Sequence, residues 1–272
     1  MTRIKSPALQ AAVTLAAAAL APLAGPTAAQ AADSPWYLGF QVPVMLFDDP
    51  ESGITGRGVT SAGPPPVVTS YSAKATSEYK AGFKIAGMVG YRLGGNLRVE
   101  GELFIARAKV DKQYYSNVTF GGQGGLGKLP ISVTGSTSQA GAMANLWLDI
   151  PIGSDWTPYV GGGVGFIRVD QGDLEYDANA LAQAAVDQLT GQPGTPLPPG
   201  FVPELSSTDT SFGYHFGFGV SYRLNDRATL QLGYRLQIAG NLEFKGRNAQ
   251  GAIDGKTEMR AHLFEIGVRM RF

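Results

Sequence analysis

The end of the chain decides the fold, and residues 264–272 read FEIGVRMRF. Apolar side chains occupy every second position of this stretch, whereas Glu265, Arg269 and Arg271 share the intervening positions with a glycine. A period of two is typical of a β-strand whose two faces meet different surroundings. We therefore predict a terminal strand with one apolar face and one face of glycine and charged residues.

The same alternation recurs upstream. It is strongest in residues 212–224, where Phe, Tyr, Val and Leu alternate with Gly, His, Ser and Arg, and in residues 230–238. Five weaker segments have apolar residues at alternate positions, and they lie at 36–46, 83–92, 97–109, 139–150 and 157–169. The sequence thus predicts eight strands.

The composition of the two faces indicates which solvent each one meets. Glycine accounts for 37 of the 272 residues, roughly twice the usual share, and it is concentrated on the polar face. A soluble sandwich would instead carry mostly Lys, Glu and Thr on that face. Glycine is a poor residue for an exposed strand, but it leaves room for long side chains inside a narrow barrel. Strands of about ten residues that are apolar outside and polar inside are typical of transmembrane β-barrels.

The connections between these strands alternate in length. Short connections of turn-forming residues lie at 94–96, 151–156 and 225–227, and long ones lie at about 47–82, 110–138, 170–210 and 240–258. An even-numbered barrel with both termini on one side requires this order, with short periplasmic turns and long external loops. We therefore predict an all-β protein, an eight-stranded antiparallel up-and-down transmembrane β-barrel with four long external loops.

The N-terminus predicts export. Arg3 and Lys5 precede an apolar stretch over residues 8–24, and Ala29-Gln30-Ala31 forms an A-x-A cleavage site. This layout is that of a secretory signal peptide, so residues 1–31 are expected to be cleaved and 32–272 to form the barrel. A transmembrane anchor is the alternative, but the stretch is short and rich in alanine.

The inward-facing positions carry a predicted network of charges. An eight-stranded barrel is just wide enough to be filled by side chains, and charges buried there must pair. Residue counts from the short turns predict an ion pair between Arg235 and Glu265, with Glu100 and Glu102 among Arg92, Arg98 and Arg235. The alternatives are a static salt-bridged plug and a narrow ion path. The full set is Lys84, Arg92, Arg98, Glu100, Glu102, Asp149, His215, Arg223, Arg235, Glu265, Arg269 and Arg271.

The same counts predict packing across the wall and at its ends. Arg235 should face Gly217, and Trp147 should face Gly161. Aromatic side chains are expected to form girdles at the lipid interfaces. The candidates are Trp36, Tyr91, Trp156, Tyr222 and Phe272.

The sequence points away from catalysis and cofactors. The chain has no cysteine and two histidines, and its net charge is zero, so neither a thiolate site nor a nucleic-acid partner is indicated. His215 and Ser221 share a face, but six residues of strand separate them by roughly 20 Å. No catalytic residue, cofactor or metal site is therefore predicted.

Within the third loop, Asp177 and the residues that follow predict a helix near 177–190. Three alternatives are open for its position: packing on the barrel's own loops, docking to a partner, or insertion into the outer leaflet.

The chain resembles the small eight-stranded outer-membrane β-barrel family of Gram-negative bacteria, which includes porin-family proteins and opacity-like surface antigens. The resemblance rests on the terminal strand 262–272, on TPYVGGGVG at 157–165 and on RVEGEL at 98–103. It implies a location in the outer membrane, contact with its lipid and lipopolysaccharide, and recognition of Phe272 by the outer-membrane assembly machinery.

The family includes proteins of several functions, so the resemblance leaves the role open. A monomeric, non-enzymatic structural or adhesive surface antigen is expected, whose loops would bind an external ligand or host surface. A narrow porin-like channel for ions or small solutes is the alternative, and an outer-leaflet lipid-modifying enzyme is the weaker one.

Overall fold

A computed structural model describes residues 34–61, 67–120, 123–126, 129–176, 187, 207–248 and 251–272, apart from some side chains within these ranges. The predicted signal peptide lies outside the described residues, as does the predicted loop helix except for Asp187. Within the described residues, no helix has the length and hydrophobicity needed to cross a bilayer.

The described chain is built of antiparallel strands. They are β1 (Trp36–Gln41), β2 (Val44–Phe47), β3 (Glu51–Ser61), β4 (Val67–Tyr79), β5 (Gly82–Gly94), β6 (Leu97–Phe120), β7 (Gln123–Leu126), β8 (Leu129–Asp149), β9 (Trp156–Tyr176), β10 (Ser207–Arg223), β11 (Ala228–Asn248) and β12 (Gly251–Arg271).

These segments form the eight staves of a closed barrel, as predicted. β1, β2 and β3 follow one another along the first stave and all pair with β12, while β4 and β5 form the second stave. Pro43 and Pro50 lie in the two breaks of the first stave, since proline has no N–H to donate to a ladder. Because β1 pairs with both β5 and β12, the ring has no free edge at this seam.

The outer face of the barrel is an apolar belt. Phe216 is 65% exposed and Phe166 is 63% exposed, although both are large hydrophobic side chains. A continuous exposed apolar band around a closed sheet is the surface that a bilayer covers. Further members from the other staves are Phe40, Val44, Phe83, Leu103, Leu146, Leu232, Phe264 and Ile266.

One end of the barrel carries the three predicted short turns, and we refer to it as the short-turn end. Between β5 and β6, Gly95 and Asn96 have φ angles of 58° and 70°. Two central residues with positive φ make a type I′ turn, whose twist matches the strands that it joins. The register around this turn places Arg92 opposite Arg98.

The strands are longer than the sequence predicted. β6 reaches Phe120 and β12 begins at Gly251, so much of the ranges 110–138 and 240–258 is strand rather than loop. The paired strands β3 and β4 likewise occupy most of 47–82. These segments lie beyond the apolar belt, so neither face needs to be apolar and their sequences do not alternate clearly. A period of two therefore does not predict them as strands.

Candidate functional site

The inside of the barrel carries a cluster of buried charges, which we call the charge layer. It consists of Lys84, Arg98, Glu100, Glu102, Arg235 and Glu265. Each side chain is buried because its position has the inward parity of its strand. Arg98 and Arg235 are exposed by only 1% and 2%. Because charges at this depth are stable only when paired, the partners of each one determine what the lumen can do.

Glu102 is the centre of the charge layer. Lys84 Nζ lies 2.8 Å from its Oε1, and an Arg235 NH group binds its Oε2. Asn145 Nδ2 donates to the same Oε2 at 3.0 Å. Two cations and an amide thus hold this carboxylate, which leaves it little capacity to bind a passing ion.

Arg235 joins two carboxylates. Its Nε lies 2.9 Å from Glu265 Oε2, so the pair predicted from the turn counts is present. Its second NH₂ group donates to Gln41 Oε1 at 2.9 Å. Gly217 faces Arg235 in the register, as predicted, and a Cβ at Gly217 would lie 2.8 Å from Arg235 Cγ. The missing side chain therefore makes room for the arginine.

Glu100 anchors a second part of the layer nearer the short-turn end. It accepts hydrogen bonds from Tyr37 OH at 2.7 Å and from Trp147 Nε1 at 2.8 Å, and Arg98 binds it as well. Arg98 Nε also donates to Asp149 at 2.9 Å. Trp147 faces Gly161 in the register, as predicted. The buried indole therefore lies inside the barrel, with the Arg98 guanidinium 5.5 Å from its ring centre.

The remaining members of the predicted network lie elsewhere or are uncharged partners. His215 is buried, and its Nε2 lies 2.9 Å from Asn145 Oδ1.

The expectation that Arg92 lies with the two glutamates is wrong, because Arg92 lines the mouth at the short-turn end. Arg223 is exposed and pairs with Asp155 at 2.8 Å. Strand parity predicts that Arg92 and Arg223 lie on the inner face of the barrel. Both are close to strand ends, so they lie at its rim and not in the charge layer. Arg269 and Arg271 line the same mouth.

An apolar layer lies in the lumen on the other side of the charge layer, and it is not among the sequence predictions. It has two packed clusters, with Phe47 against both. The available signal was parity, since Leu263 and Met259 share the inward parity of Glu265. The buried members are Met45, Ala86, Phe104, Ala106, Met143, Ile167, Val169, Ala239, Leu242, Met259, Ala261 and Leu263.

A hydrogen-bonded chain lies on the outer face at the far edge of the apolar belt. His262 Nε2 lies 2.9 Å from Asp48 Oδ1, and Tyr234 OH lies 2.7 Å from His262 Nδ1. Counting residues within one strand does not predict this pair, because Asp48 and His262 lie on neighbouring staves of the barrel. In the described part of the chain, no group of three or more carboxylate or histidine side chains is placed to hold a metal ion.

The five aromatic candidates for the two lipid interfaces all lie at the short-turn end, so they form a girdle at one interface only. Trp36 packs against Tyr91 with ring centroids 4.8 Å apart, and Trp156 packs against Tyr222 at 4.6 Å. Each pair joins two adjacent strands in register. Phe272 follows the last residue of β12 and is 40% exposed. Amphipathic rings at strand ends are suited to the boundary between lipid and water.

The sequence as a whole matches one protein family. The family model described as outer membrane protein beta-barrel domain matches residues 14–272. The chain belongs to this outer-membrane β-barrel family. The protein is therefore located in the bacterial outer membrane, and the short-turn end is its periplasmic end. No curated protein sequence matches the chain.

Several solved outer-membrane barrels have a similar structure. Neisserial surface protein A is 20% identical, with 88% of this chain and 98% of that chain covered and a TM-score of 0.41. OprG from Pseudomonas aeruginosa is 16% identical, with 88% and 97% covered and a TM-score of 0.47. The outer-membrane protease OmpT from Escherichia coli is 8% identical, with 87% and 96% covered and a TM-score of 0.42. At these identities the likeness concerns the fold alone.

Proposed function

We propose that this outer-membrane barrel is a non-enzymatic surface protein whose lumen is sealed and whose external end binds a ligand or host surface. The filled lumen carries the proposal. Glu102 is held by Lys84 and Arg235, and the side chain of each of the three is at least 98% buried. An ion passing this point would have to displace paired, buried charges.

The apolar layer strengthens the seal. Phe104 and Met143 lie within it and are each 4% exposed. The Lys84 ammonium lies 4.0 Å from the centre of the Phe104 ring, so the charged and apolar layers are in direct contact. An ion crossing the apolar layer would lose its hydration without finding a polar partner, which costs several kcal/mol or more.

The external end offers a surface for a ligand. A cavity of about 810 Å³ lies there among the extended parts of β3, β4, β6, β11 and β12. Ile54 and Ala73 form buried apolar parts of its lining, and Lys74 and Lys256 lie at its edge. Apolar depressions edged by charged groups are common recognition sites, and this one faces away from the membrane.

Single-channel recording in a planar bilayer tests the seal. The refolded mature protein should insert and give no discrete openings, and heat-dependent gel migration would first establish that it is folded. Arg235→Ala should remain silent as well, since the apolar layer is intact in that variant. Reproducible openings of the native protein that change in Arg235→Ala would overturn the seal and support the narrow channel.

The hydrogen-bonded chain Asp48–His262–Tyr234 faces the outer leaflet. It is therefore the feature that would support an outer-leaflet lipid-modifying enzyme. We assign it a structural role, in which the imidazole links the Asp48 carboxylate to the Tyr234 phenol. In vesicles of ester-linked phospholipid, native protein and His262→Ala should release the same background amount of fatty acid. Loss of a native hydrolytic activity in His262→Ala would overturn this assignment.

A further inference from the structure

A cavity of about 510 Å³ opens at the periplasmic end, below the charge layer. We call it the periplasmic vestibule. Four arginines line it, namely Arg92, Arg223, Arg269 and Arg271. Only two carboxylates, those of Asp149 and Asp155, belong to the same lining. The vestibule therefore has more positive than negative charge.

Both carboxylates are already bound by arginines. Asp155 Oδ1 accepts from Arg223 at 2.8 Å and 3.0 Å. Asp149 Oδ1 accepts from Arg98 at 2.9 Å. Among the residues that the structure describes, Arg92, Arg269 and Arg271 form no ion pair. Three guanidinium groups around one cavity thus have no ion-pair partner in the described wall.

Arg269 is the decisive member because it is buried and incompletely satisfied. It is 4% exposed, and its NH2 group donates to Ser221 Oγ at 2.7 Å. Its Nε and NH1 have no hydrogen-bond partner, and the same is true of Arg92 Nε. A buried donor without a partner costs free energy, and more so when it is charged. These donors indicate a missing acceptor in the vestibule.

We propose that the periplasmic vestibule binds a small oxyanion, a phosphate or carboxylate group, presented from the periplasm. Guanidinium groups match the spacing of both oxyanions through paired N–H donors. Arg269 forms the base of the site, Arg92 and Arg271 close over it from the mouth, and the Ser221 hydroxyl orients Arg269. The oxyanion site does not involve the external surface. It is compatible with a sealed lumen and with one that conducts ions.

Calorimetric titration of the refolded mature chain tests the site, in zwitterionic detergent and at constant ionic strength set with sodium chloride. Inorganic phosphate and citrate are the two probes, one for each oxyanion. At least one of them should bind with heat that chloride does not produce. Arg92→Gln and Arg271→Gln should each weaken that binding at least about tenfold, as expected for the loss of a hydrogen bond to a charged group.

Arg223→Gln is the matched control. It removes the same charge from the same cavity, but its guanidinium is already engaged by Asp155. The binding constant should therefore change less than about threefold, because a screened charge acts weakly at a distance. If Arg223→Gln weakens binding as much as Arg92→Gln does, the effect is general electrostatics and the site is overturned. The absence of binding of either probe to the native protein overturns it as well.

Arg269→Met separates binding from folding. Replacing a buried, unsatisfied charge by an apolar side chain of similar length is often neutral or stabilising. The variant should thus keep or raise the melting temperature of the native barrel while it loses the binding of whichever probe the native protein binds. Retained binding in a folded Arg269→Met would contradict the assignment of this arginine as the base of the site.

Discussion

At the scale of single residues, the interior is governed by the cost of isolating a charge. Glu102 has two cationic partners, and Arg235 has two anionic ones. Glu102 is therefore the member whose loss would leave a buried cation, Lys84, without a carboxylate partner. Exposed ion pairs on the outside of the protein behave differently, because water replaces the partner of a charge when that partner is removed.

Glu102→Gln should destabilise the barrel strongly. The substitution conserves shape but leaves Lys84 without a carboxylate and Arg235 with one instead of two. Breaking a buried pair in this way costs roughly 3–5 kcal/mol. Urea unfolding of the refolded protein in lipid vesicles would measure the change.

The matched variant is Glu51→Gln. Glu51 pairs with Lys74 at 3.7 Å, and both side chains are more than half exposed. Its loss should cost about 0–1 kcal/mol. Equal effects of the two substitutions would show that the charge layer is hydrated and not a sealed unit.

Gly217→Leu should also destabilise the protein, for a steric reason. A Cβ at this position would lie 2.9 Å from the Tyr234 carbonyl oxygen and 3.2 Å from Trp147 Cη2. Overpacking a filled interior typically costs about 1–3 kcal/mol. Gly101→Leu is the control, because Gly101 is exposed and no atom lies within 4 Å of the position that a Cβ would take there. Thermal unfolding that is unchanged in Gly217→Leu would refute the register between β10 and β11.

At the scale of elements, the short turns set the register of the strands that they join. At the turn between β5 and β6, three consecutive residues have positive φ, namely Gly94, Gly95 and Asn96, and Gly94 pairs with Leu97 across the turn. A slip of one residue here would turn Arg98, Glu100 and Glu102 toward lipid. The turn thus determines whether this part of the charge layer can form.

Asn96→Val should weaken this turn. A β-branched side chain is disfavoured at a φ of 70°, and the left-handed conformation costs roughly 1–2 kcal/mol for such residues. Asn96→Gly should leave the stability nearly unchanged, since glycine adopts this conformation readily. Urea unfolding and refolding rates of the two variants would show the difference. If both variants match the native protein, the turn does not control the register.

At the scale of the whole molecule, one seam closes the ring. β12 meets β1, β2 and β3 in succession, and Leu38 pairs with Met270 at this seam. Because the chain has no cysteine, paired cysteines can be introduced there without competing thiols.

Leu38→Cys combined with Met270→Cys should form a disulfide in the folded barrel. Cα atoms of directly paired antiparallel residues lie about 4.5–5.5 Å apart, within the range that a disulfide spans. Non-reducing gel migration of the denatured protein would detect the linkage. Leu38→Cys with Ile266→Cys should remain unlinked, because four residues of offset exceed that range. Linkage in the offset pair alone would show that the seam closes in another register.

The sequence predicted those features that depend on a period of two. Parity gave the inward faces, and counting from the short turns gave the Arg235–Glu265 pair and its glycine neighbour. Parity does not show where the polar interior ends, so the apolar layer around Phe104 and Leu263 was missed. Parity also does not show how far along the barrel axis a long side chain reaches. For that reason the predicted position of Arg92, beside the two glutamates, is too far from the barrel mouth. The length of the strands was underestimated because beyond the bilayer their outer face no longer needs to be apolar.

The length of these strands gives the barrel a raised rim. β12 continues for nine residues beyond Arg260, which lies next to the edge of the apolar belt, as far as Gly251. At about 3.4 Å per residue and a tilt of roughly 40°, the wall stands on the order of 20 Å above the lipid surface. A large molecule approaching the cell would thus meet a stiff collar of paired strands before it reached the lipid headgroups. The height of the external end above the membrane is thus set by the paired strands of the wall itself.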